Sequence, residues 1–311
     1  MLSLRKINFN SIKTIKNSIR TFINVIYEPG EVESSYVVPN HIIKPSYYTE
    51  INKPANLIGK ININNEDQIK KMRKSCKIAA NILEKCHEIV KPGISTHEID
   101  RFVFNEIIKQ NCYPSPLYYC GFPKAICTSV NNVACHGIPD SRKLMDGDII
   151  NIDITVFHEN CHGDCSKTFL VGKVDDNGRY LVYHNDKGLY EAIKICRPGV
   201  DFREIGKALQ AYANRAELNI VQDFIGHGIG EEFHCPPEIY HFENDYEIGT
   251  MEKGMIFTIE PIFSEGAGEI ELWEDEWTVS TVDNSRTSQH EHTVLINDDS
   301  CEILTMPDSS N

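Results

Sequence analysis

The chain has 311 residues, 41% of them hydrophobic and 24% charged, which is enough to bury one large core. Its net charge of −14 argues against a general nucleic-acid binder, which would carry a basic face. No apolar run approaches the roughly 18–20 residues that cross a bilayer, and eleven scattered cysteines without a CxxC pair point to reduced, buried thiols rather than a zinc finger or a disulfide framework.

Residues 1–27 stand apart. They hold Arg5, Lys6, Lys13, Lys16 and Arg20 and no acidic residue, so the remainder carries −19. Ile12, Ile15, Ile19, Phe22 and Ile26 recur at helical spacing among serines and threonines. That amphipathic, acid-free pattern is the pattern of an organellar transit peptide. It predicts a mitochondrial matrix location, with a plastid-like organelle or the cytoplasm as alternatives. Residues 28–60, with Pro29, Gly30, Pro39, Pro45, Pro54 and Gly59, read as an extended arm. Residues 61–311 form the folded domain.

That domain opens with two helices. Asn65 is a candidate N-cap, followed by Glu66 and Asp67 and an apolar stripe from Ile69 through Met72, Cys76, Ala79 and Leu83 to Val90. Pro92-Gly93 ends the first helix. Ser95 and Glu98 then make a capping-box signature for a second, with Ile99, Phe102, Val103 and Ile107 facing inward.

An internal repeat follows. KPGISTHEI at 91–99 returns as RPGVDFREI at 197–205, and DGDIINID at 146–153 returns as KGMIFTIE at 253–260. A weaker echo links Asp164-Cys165-Ser166 with Glu291-His292-Thr293. Three echoes in one order predict two similar α/β halves. Ile150, Ile152, Ile154 and Val156 alternate with Asn151, Asp153 and Thr155, which predicts a strand. A turn at 158–160 would return the chain so that Asp153 and Asp164 enter one cavity. The repeat pairs Asp153 with Glu260 and Asp164 with Glu291. Four enclosed carboxylates repel one another, and two divalent ions would neutralise them. With His227 of GHGIG added, the donor set is rich in oxygen with one imidazole, which suits Mn, Fe, Co or Zn.

The segments NIDIT (151–155), HGDCSKTF (162–169), GHGIG (226–230), FTIEP (257–261) and EHT (291–293) resemble, in order, the five ligand motifs of the type 1 methionine aminopeptidases. CHGIP (135–139) and EEFHCPPEIY (231–240) resemble the same family. The resemblance covers roughly residues 60–305 and is nearest to the organellar type 1D form. It implies an α+β pita-bread fold, two pseudo-symmetric halves around a dinuclear metal site. It implies that Asp153 chelates one metal, that Asp164 and Glu291 bridge both, and that His227 and Glu260 complete the other. A hydroxide between the metals would be the nucleophile, and Glu260 the proton shuttle. His136 and His234 would contact substrate. Tyr119, Phe122, Cys127, Cys135, Phe233 and Trp277 would form an apolar methionine pocket. Asn131, Val133 and Thr287 match positions that hold one Na or K ion.

The implied activity is removal of the initiator methionine from nascent proteins with a small second residue, by hydrolysis of the first peptide bond. The implied partners are N-terminal Met peptides, nascent chains and the organellar ribosome, with no specific nucleic acid and no membrane. A monomer is expected. The sequence departs from the resemblance at Phe122 (a Tyr in many bacterial forms), at Cys165 (usually Thr) and at His290, which stands before Glu291 where Tyr or Phe is usual. A prolidase is the chief rival within the fold. It is disfavoured because only about 60 residues precede the first helix, where prolidases carry a further domain.

Overall fold

The structure, a computed structural model, describes residues 24–33, 36–49 and 59–308. Helix α1 spans Glu66–Lys85. The Asn65 side chain accepts from the N–H groups of Asp67 and Gln68, and the Gln68 side chain accepts from the Asn65 N–H. Such a reciprocal cap contributes about 1 kcal/mol. The buried face runs through Ile69, Met72, Cys76, Ala79 and Leu83. The helix stops short of Val90 because its last turn tightens into a 3-10 turn over Cys86–Glu88. Helix α2 (Thr96–Lys109) starts on the predicted Ser95–Glu98 capping box.

Short strands β1 (Tyr113–Pro114), β2 (Cys127–Val130) and β3 (Val133–Cys135) lead to a long hairpin, β4 (Ile149–His158) and β5 (Cys161–Leu170). The hairpin is paired through all ten positions of each strand. Its two-residue loop, Glu159–Asn160, has φ of +49° and +63°, the left-handed pair that matches strand twist. On one face, Ile152, Ile154 and Val156 are fully buried in the core with α1 and α2. The opposite face, with Asn151 and Thr155, is buried as well. The alternation therefore marks a strand covered on both sides, whose polar face lines an interior site.

The second half repeats this order. Helices α3 (Asp176–Ile193) and α4 (Arg203–Arg215) precede β6 (Asn219–Ile220), β7 (Gly226–Gly228), β8 (Cys235–Ile239) and β9 (Ile256–Ile259). Strands β10 (Ile262–Ser264), β11 (Ile270–Leu272), β12 (Val279–Thr281) and β13 (Thr287–Gln289) intervene before β14 (His292–Ile296) and β15 (Cys301–Ile303). The sheet order β5-β4-β2 matches β14-β9-β7. The sequence repeat is visible in single bonds. Gly93 N–H donates to Leu144 O at 2.8 Å, and Gly199 N–H donates to Met251 O at 2.8 Å. Ser95 bridges Lys143, and Asp201 bridges Thr250. Strand β3 of the first half pairs with β12 of the second, which ties the halves together. This is the expected α+β, pita-bread arrangement.

The arm is docked along the first half. Val38, Ile42 and Tyr47 are buried, and Tyr36 stacks on Phe104 at 4.1 Å. Residues 1–23 of the expected leader lie outside the described residues. Residues 24–27, the last four of the expected leader, are described and contact the domain. The Asn24 side chain donates to Asp148 at 2.8 Å. Ile26 is extended and buried, and both its backbone groups bond the Asn132 side chain, at 2.7 and 2.9 Å. Ile26 lies outside any helix, with its backbone bonded to the Asn132 carboxamide, and the rest of the expected stripe lies outside the described residues. Nine of the eleven cysteines are buried, so they behave as small hydrophobes.

Candidate metal centre

The β4–β5 register sets Asp153 opposite Ser166 and Asp164 opposite Thr155. Partners across a ladder share a face with residues two along, so both carboxylates point the same way. In the other half Ile259 faces His292, and Glu260 and Glu291 stand as the next facing pair beyond the paired ends. His227 comes from β7, which lies between β8 and β9. Its flanking glycines let that strand lie flush. A Cβ on Gly226 would meet Thr258 O at 2.4 Å, and one on Gly228 would meet Pro236 O at 2.1 Å.

The ligand atoms of Asp164, His227 and Glu291 lie within 4.8 Å of one another. His227 Nε2 is 3.7 Å from Glu260 Oε1 and 3.9 Å from Asp164 Oδ2. His227 Nδ1 is 3.1 Å from the Gly228 carbonyl, which can only accept. The ring proton therefore sits on Nδ1, and the Nε2 lone pair faces the carboxylates. Burial pulls His227 down to about 4, so the ring is neutral, as a metal ligand must be. Burial drives all four acids up, and neighbouring carboxylates push Asp164, Glu260 and Glu291 further: Asp153 to about 7, Glu260 to about 8, Asp164 and Glu291 well above their usual range. Asp153 Oδ1 is buried with no hydrogen-bond partner. A cluster that raises its own carboxyls and leaves one oxygen orphaned is what divalent cations would relieve, so the residues fit a metal site.

Supporting residues escaped the sequence reading. Thr155 Oγ1 donates to Asp164 Oδ1 at 2.7 Å, and Thr258 Oγ1 donates to Glu260 Oε1 at 2.8 Å. Each stands two residues along the chain from an expected ligand, so the period-2 rule could have found them. Gln289 Nε2 is 3.3 Å from Glu260 Oε2, and the Glu260 N–H donates to His241 Nε2 at 3.1 Å. No local signal marks either. His290 is buried and held neutral, pulled down to about 3 by burial. Its Nδ1 lies 2.8 Å from Asn185 Oδ1, while Asn185 Nδ2 donates to Pro261 O at 2.7 Å. The unusual His290 is thus a donor to α3.

The expected pocket residues form two aromatic walls. On one side Tyr119 and Phe233 have centroids 4.7 Å apart, and Phe233 stacks on His234 at 4.3 Å. The Tyr119 hydroxyl is 2.7 Å from His234 Nδ1, and the His234 ring is 4.1 Å from that of His227. On the other side Phe122 packs edge-on to Trp277 at 5.1 Å, and His136 lies 6.1 Å from Trp277. Phe224, absent from the sequence reading, packs on His136 at 5.1 Å. Cys127 sits opposite Asp153, and Cys135 opposite Val279. Burial pulls His136 to about 4 and His234 well below the ordinary histidine value, so both rings are neutral. Thr287 Oγ1 lies 3.3 Å from Asn131 O and 3.2 Å from Val133 O, so the three expected cation-site residues meet.

Two halves that close carboxylates and an imidazole over one centre define a pita-bread metallohydrolase. Metallopeptidase family M24 matches residues 70–298. The chain is 48% identical over 286 residues to methionine aminopeptidase 1D, mitochondrial, of Homo sapiens, covering 92% of this chain and 85% of that protein. It is 46% identical to the chloroplastic/mitochondrial methionine aminopeptidase 1D of Arabidopsis thaliana, over 89% of this chain and 79% of that one. The crystal structure of methionine aminopeptidase from Rickettsia prowazekii superposes with a TM-score of 0.78 at 39% identity, over 79% of this chain and all of that one. The chain belongs to the methionine aminopeptidases of metallopeptidase family M24 and is a metal-dependent aminopeptidase. Prolidase from Pyrococcus furiosus, at 19% identity and a TM-score of 0.63, shares the fold alone. Among the described residues no helix is long and apolar enough to cross a membrane.

Proposed function

We propose that this chain removes the initiator methionine from new polypeptides whose second residue is small. Asp153, Asp164, His227, Glu260 and Glu291 hold two divalent ions drawn from Mn, Fe, Co and Zn. The observation that carries this is the convergence of Asp164, His227 and Glu291 within 4.8 Å, with the orphaned oxygen of Asp153 beside them. When bound, such ions would acidify a water and draw charge from the scissile carbonyl. Glu260, in its carboxylate form, takes a proton from the attacking water and delivers it to the departing amine. Neutral His136 and His234 donate hydrogen bonds to the substrate carbonyl and to the tetrahedral centre that replaces it. Tyr119, Phe122, Cys127, Cys135, Phe233 and Trp277 take the unbranched thioether, to which aromatic rings and thiols offer polarizable contacts. Asn131, Val133 and Thr287 hold a monovalent cation that braces the junction of β2, β3 and β13.

The partners are N-terminal Met peptides and nascent chains at an organellar ribosome, and the enzyme acts as a monomer. The acid-free N-terminus and the organellar names of the relatives support import into mitochondria. The ties of Asn24 and Ile26 to the domain support a removable leader that ends before residue 24. Hydrolysis of a Met-Ala-Ser peptide across metals, with Asp153→Asn as control, tests the proposal. Free methionine from the intact enzyme alone supports it. Cleavage of Xaa-Pro peptides in preference to Met-Ala-Ser, or full activity of the variant, refutes it.

A further inference from the structure

Among the described residues of the arm, Tyr47 reaches the substrate site. Tyr47, in a 3-10 turn over Ser46–Thr49, is 7% exposed. Its ring meets Tyr119 edge-on at 5.0 Å and lies nearly parallel to His162, 6.1 Å away and tilted by 20°. Its hydroxyl donates to Ser115 O at 2.6 Å, and the hydroxyl of that same Ser115 is 2.8 Å from His162 Nδ1. His162 stacks on Phe233 at 5.1 Å and 10°. Phe233 in turn stacks on His234, whose Nδ1 meets the Tyr119 hydroxyl. Two routes therefore run from Tyr47 to His234. One passes through Tyr119, and the other through His162 and Phe233.

We propose that Tyr47 is a positioning residue of the active site, by which the N-terminal arm holds the Tyr119–Phe233–His234 wall in place. The inference rests on the reading of that wall as the methionine and substrate-carbonyl contact. The chemistry is specific. Burial keeps the Tyr119 phenol protonated and His234 neutral. With Tyr119 donating to Nδ1, the His234 proton sits on Nε2, the atom left free to donate to substrate. Were Tyr119 to swing away, the ring could turn or change tautomer. Tyr119 is only partly buried, so its own burial does not fix the ring. The Tyr47 ring, edge-on against Tyr119, supplies the missing restraint. Tyr47 also fixes Ser115, and through it His162, so the second route is braced by a hydrogen bond rather than by stacking alone.

The test uses the full chain with its metals, on Met-Ala-Ser and Leu-Ala-Ser peptides, with metal content and melting temperature measured alongside. Tyr47→Leu, which keeps apolar volume, is expected to lower kcat on the Met peptide about tenfold, raise KM about threefold and narrow the Met-over-Leu preference, at unchanged metal content. Tyr47→Phe keeps the ring that braces Tyr119 and should stay within threefold of the parent. In a Tyr119→Phe background, which already lacks the bond to His234, Tyr47→Leu should cost less than threefold in kcat. Unchanged kcat and preference in Tyr47→Leu overturn the inference. So does an equal loss in the Tyr119→Phe background, or failure of Tyr47→Leu to fold, each of which assigns Tyr47 to general packing. If the parent enzyme does not cleave Met peptides, the reading of the site itself fails, which is a different result from an active parent with an indifferent Tyr47.

Discussion

In the first half, Asp153 and Asp164 hang from a ten-residue hairpin closed by a two-residue turn and paired without a break. In the second, Glu260 and Glu291 stand just past the ends of β9 and β14, and the chain between them leaves through β10 to β13 before it returns. The registers differ too. The aspartates are diagonal to each other across their ladder, whereas the glutamates are directly opposed. The repeat therefore preserves four carboxylates around an axis without preserving how each is held. Mid-strand aspartates are held mainly by their ladder, with the Thr155 hydroxyl bonded to Asp164. Glutamates beyond a strand end have one more rotatable bond and a freer backbone, and other residues must hold them. Thr258, Gln289 and His241 gather round Glu260, and Asn185 holds the residues beside both glutamates.

The largest effect should come from removing a carboxylate that faces both halves. Asp164→Asn and Glu291→Gln are each expected to lower kcat by roughly a thousandfold, the several kcal/mol of charge stabilisation that a metal site supplies. Each should also lower metal content as measured by elemental analysis. If one variant kept both activity and metal, the centre would belong to a single half and the comparison would break.

Metal removal gives the next effect, and its sign depends on pH. Asp153 moves from 3.8 to about 7 and Glu260 from 4.5 to about 8 in the metal-free fold, so the fold binds protons that the unfolded chain releases. Acids raised in this way contribute stability at low pH that is lost as pH rises through their folded values. Metal-free protein should therefore melt at a lower temperature at about pH 8 than at about pH 5.5, and metal affinity should climb over the same interval. Hydrogen exchange should locate the loosening in β9 and β14 and leave β4–β5 protected. A metal-free melting temperature that rises toward pH 8 would contradict the buried-carboxylate account.

Part of this asymmetry was legible in the sequence and part was not. The capping boxes of α1 and α2, the alternation of β4 and the turn at Glu159–Asn160 are local, and local chemistry decides them. The two halves were legible because duplication left matching turns at Gly93 and Gly199. The pairing of Asp153 with Glu260 followed from the same offset. The two-residue difference in register did not, because register is set by which strands meet in space. Asn185 and His241 were invisible for a similar reason: each acts across more than a dozen residues of chain, from elements whose own pattern is ordinary. The bonds of Ile26 to Asn132 were hidden too, because Ile26 fits a helical stripe as well as it fits the Asn132 carboxamide.

Asn185 offers the next sharpening. Asn185→Ala would leave the Pro261 carbonyl and the His290 N–H unsatisfied in a buried place, at a cost of about 1–3 kcal/mol. Because these neighbours flank Glu260 and Glu291, metal affinity should fall about 10- to 100-fold. Titration calorimetry would measure it. Combining the variant with His290→Phe removes the orphaned donor and should recover part of the stability but little of the affinity, since the Pro261 carbonyl stays unheld.

The smallest effects should still separate the halves. Thr155→Val and Thr258→Val each keep the shape of the side chain and delete one hydroxyl donated to a ligand. Thr155 serves Asp164 alone, whose side chain is 6% exposed, so water cannot replace the lost bond. Thr258 serves Glu260, which is 16% exposed and is also within reach of Gln289, and it additionally accepts the His227 N–H at 2.9 Å. Thr155→Val should thus cost mainly metal affinity, about tenfold, with a melting temperature within a few degrees of the parent. Thr258→Val should cost less affinity and more stability, about 1–3 kcal/mol for the stranded backbone donor. Equal profiles for the two variants would mean that hairpin and strand-end ligands are held alike. The opposite split would mean that the second half is the rigid one.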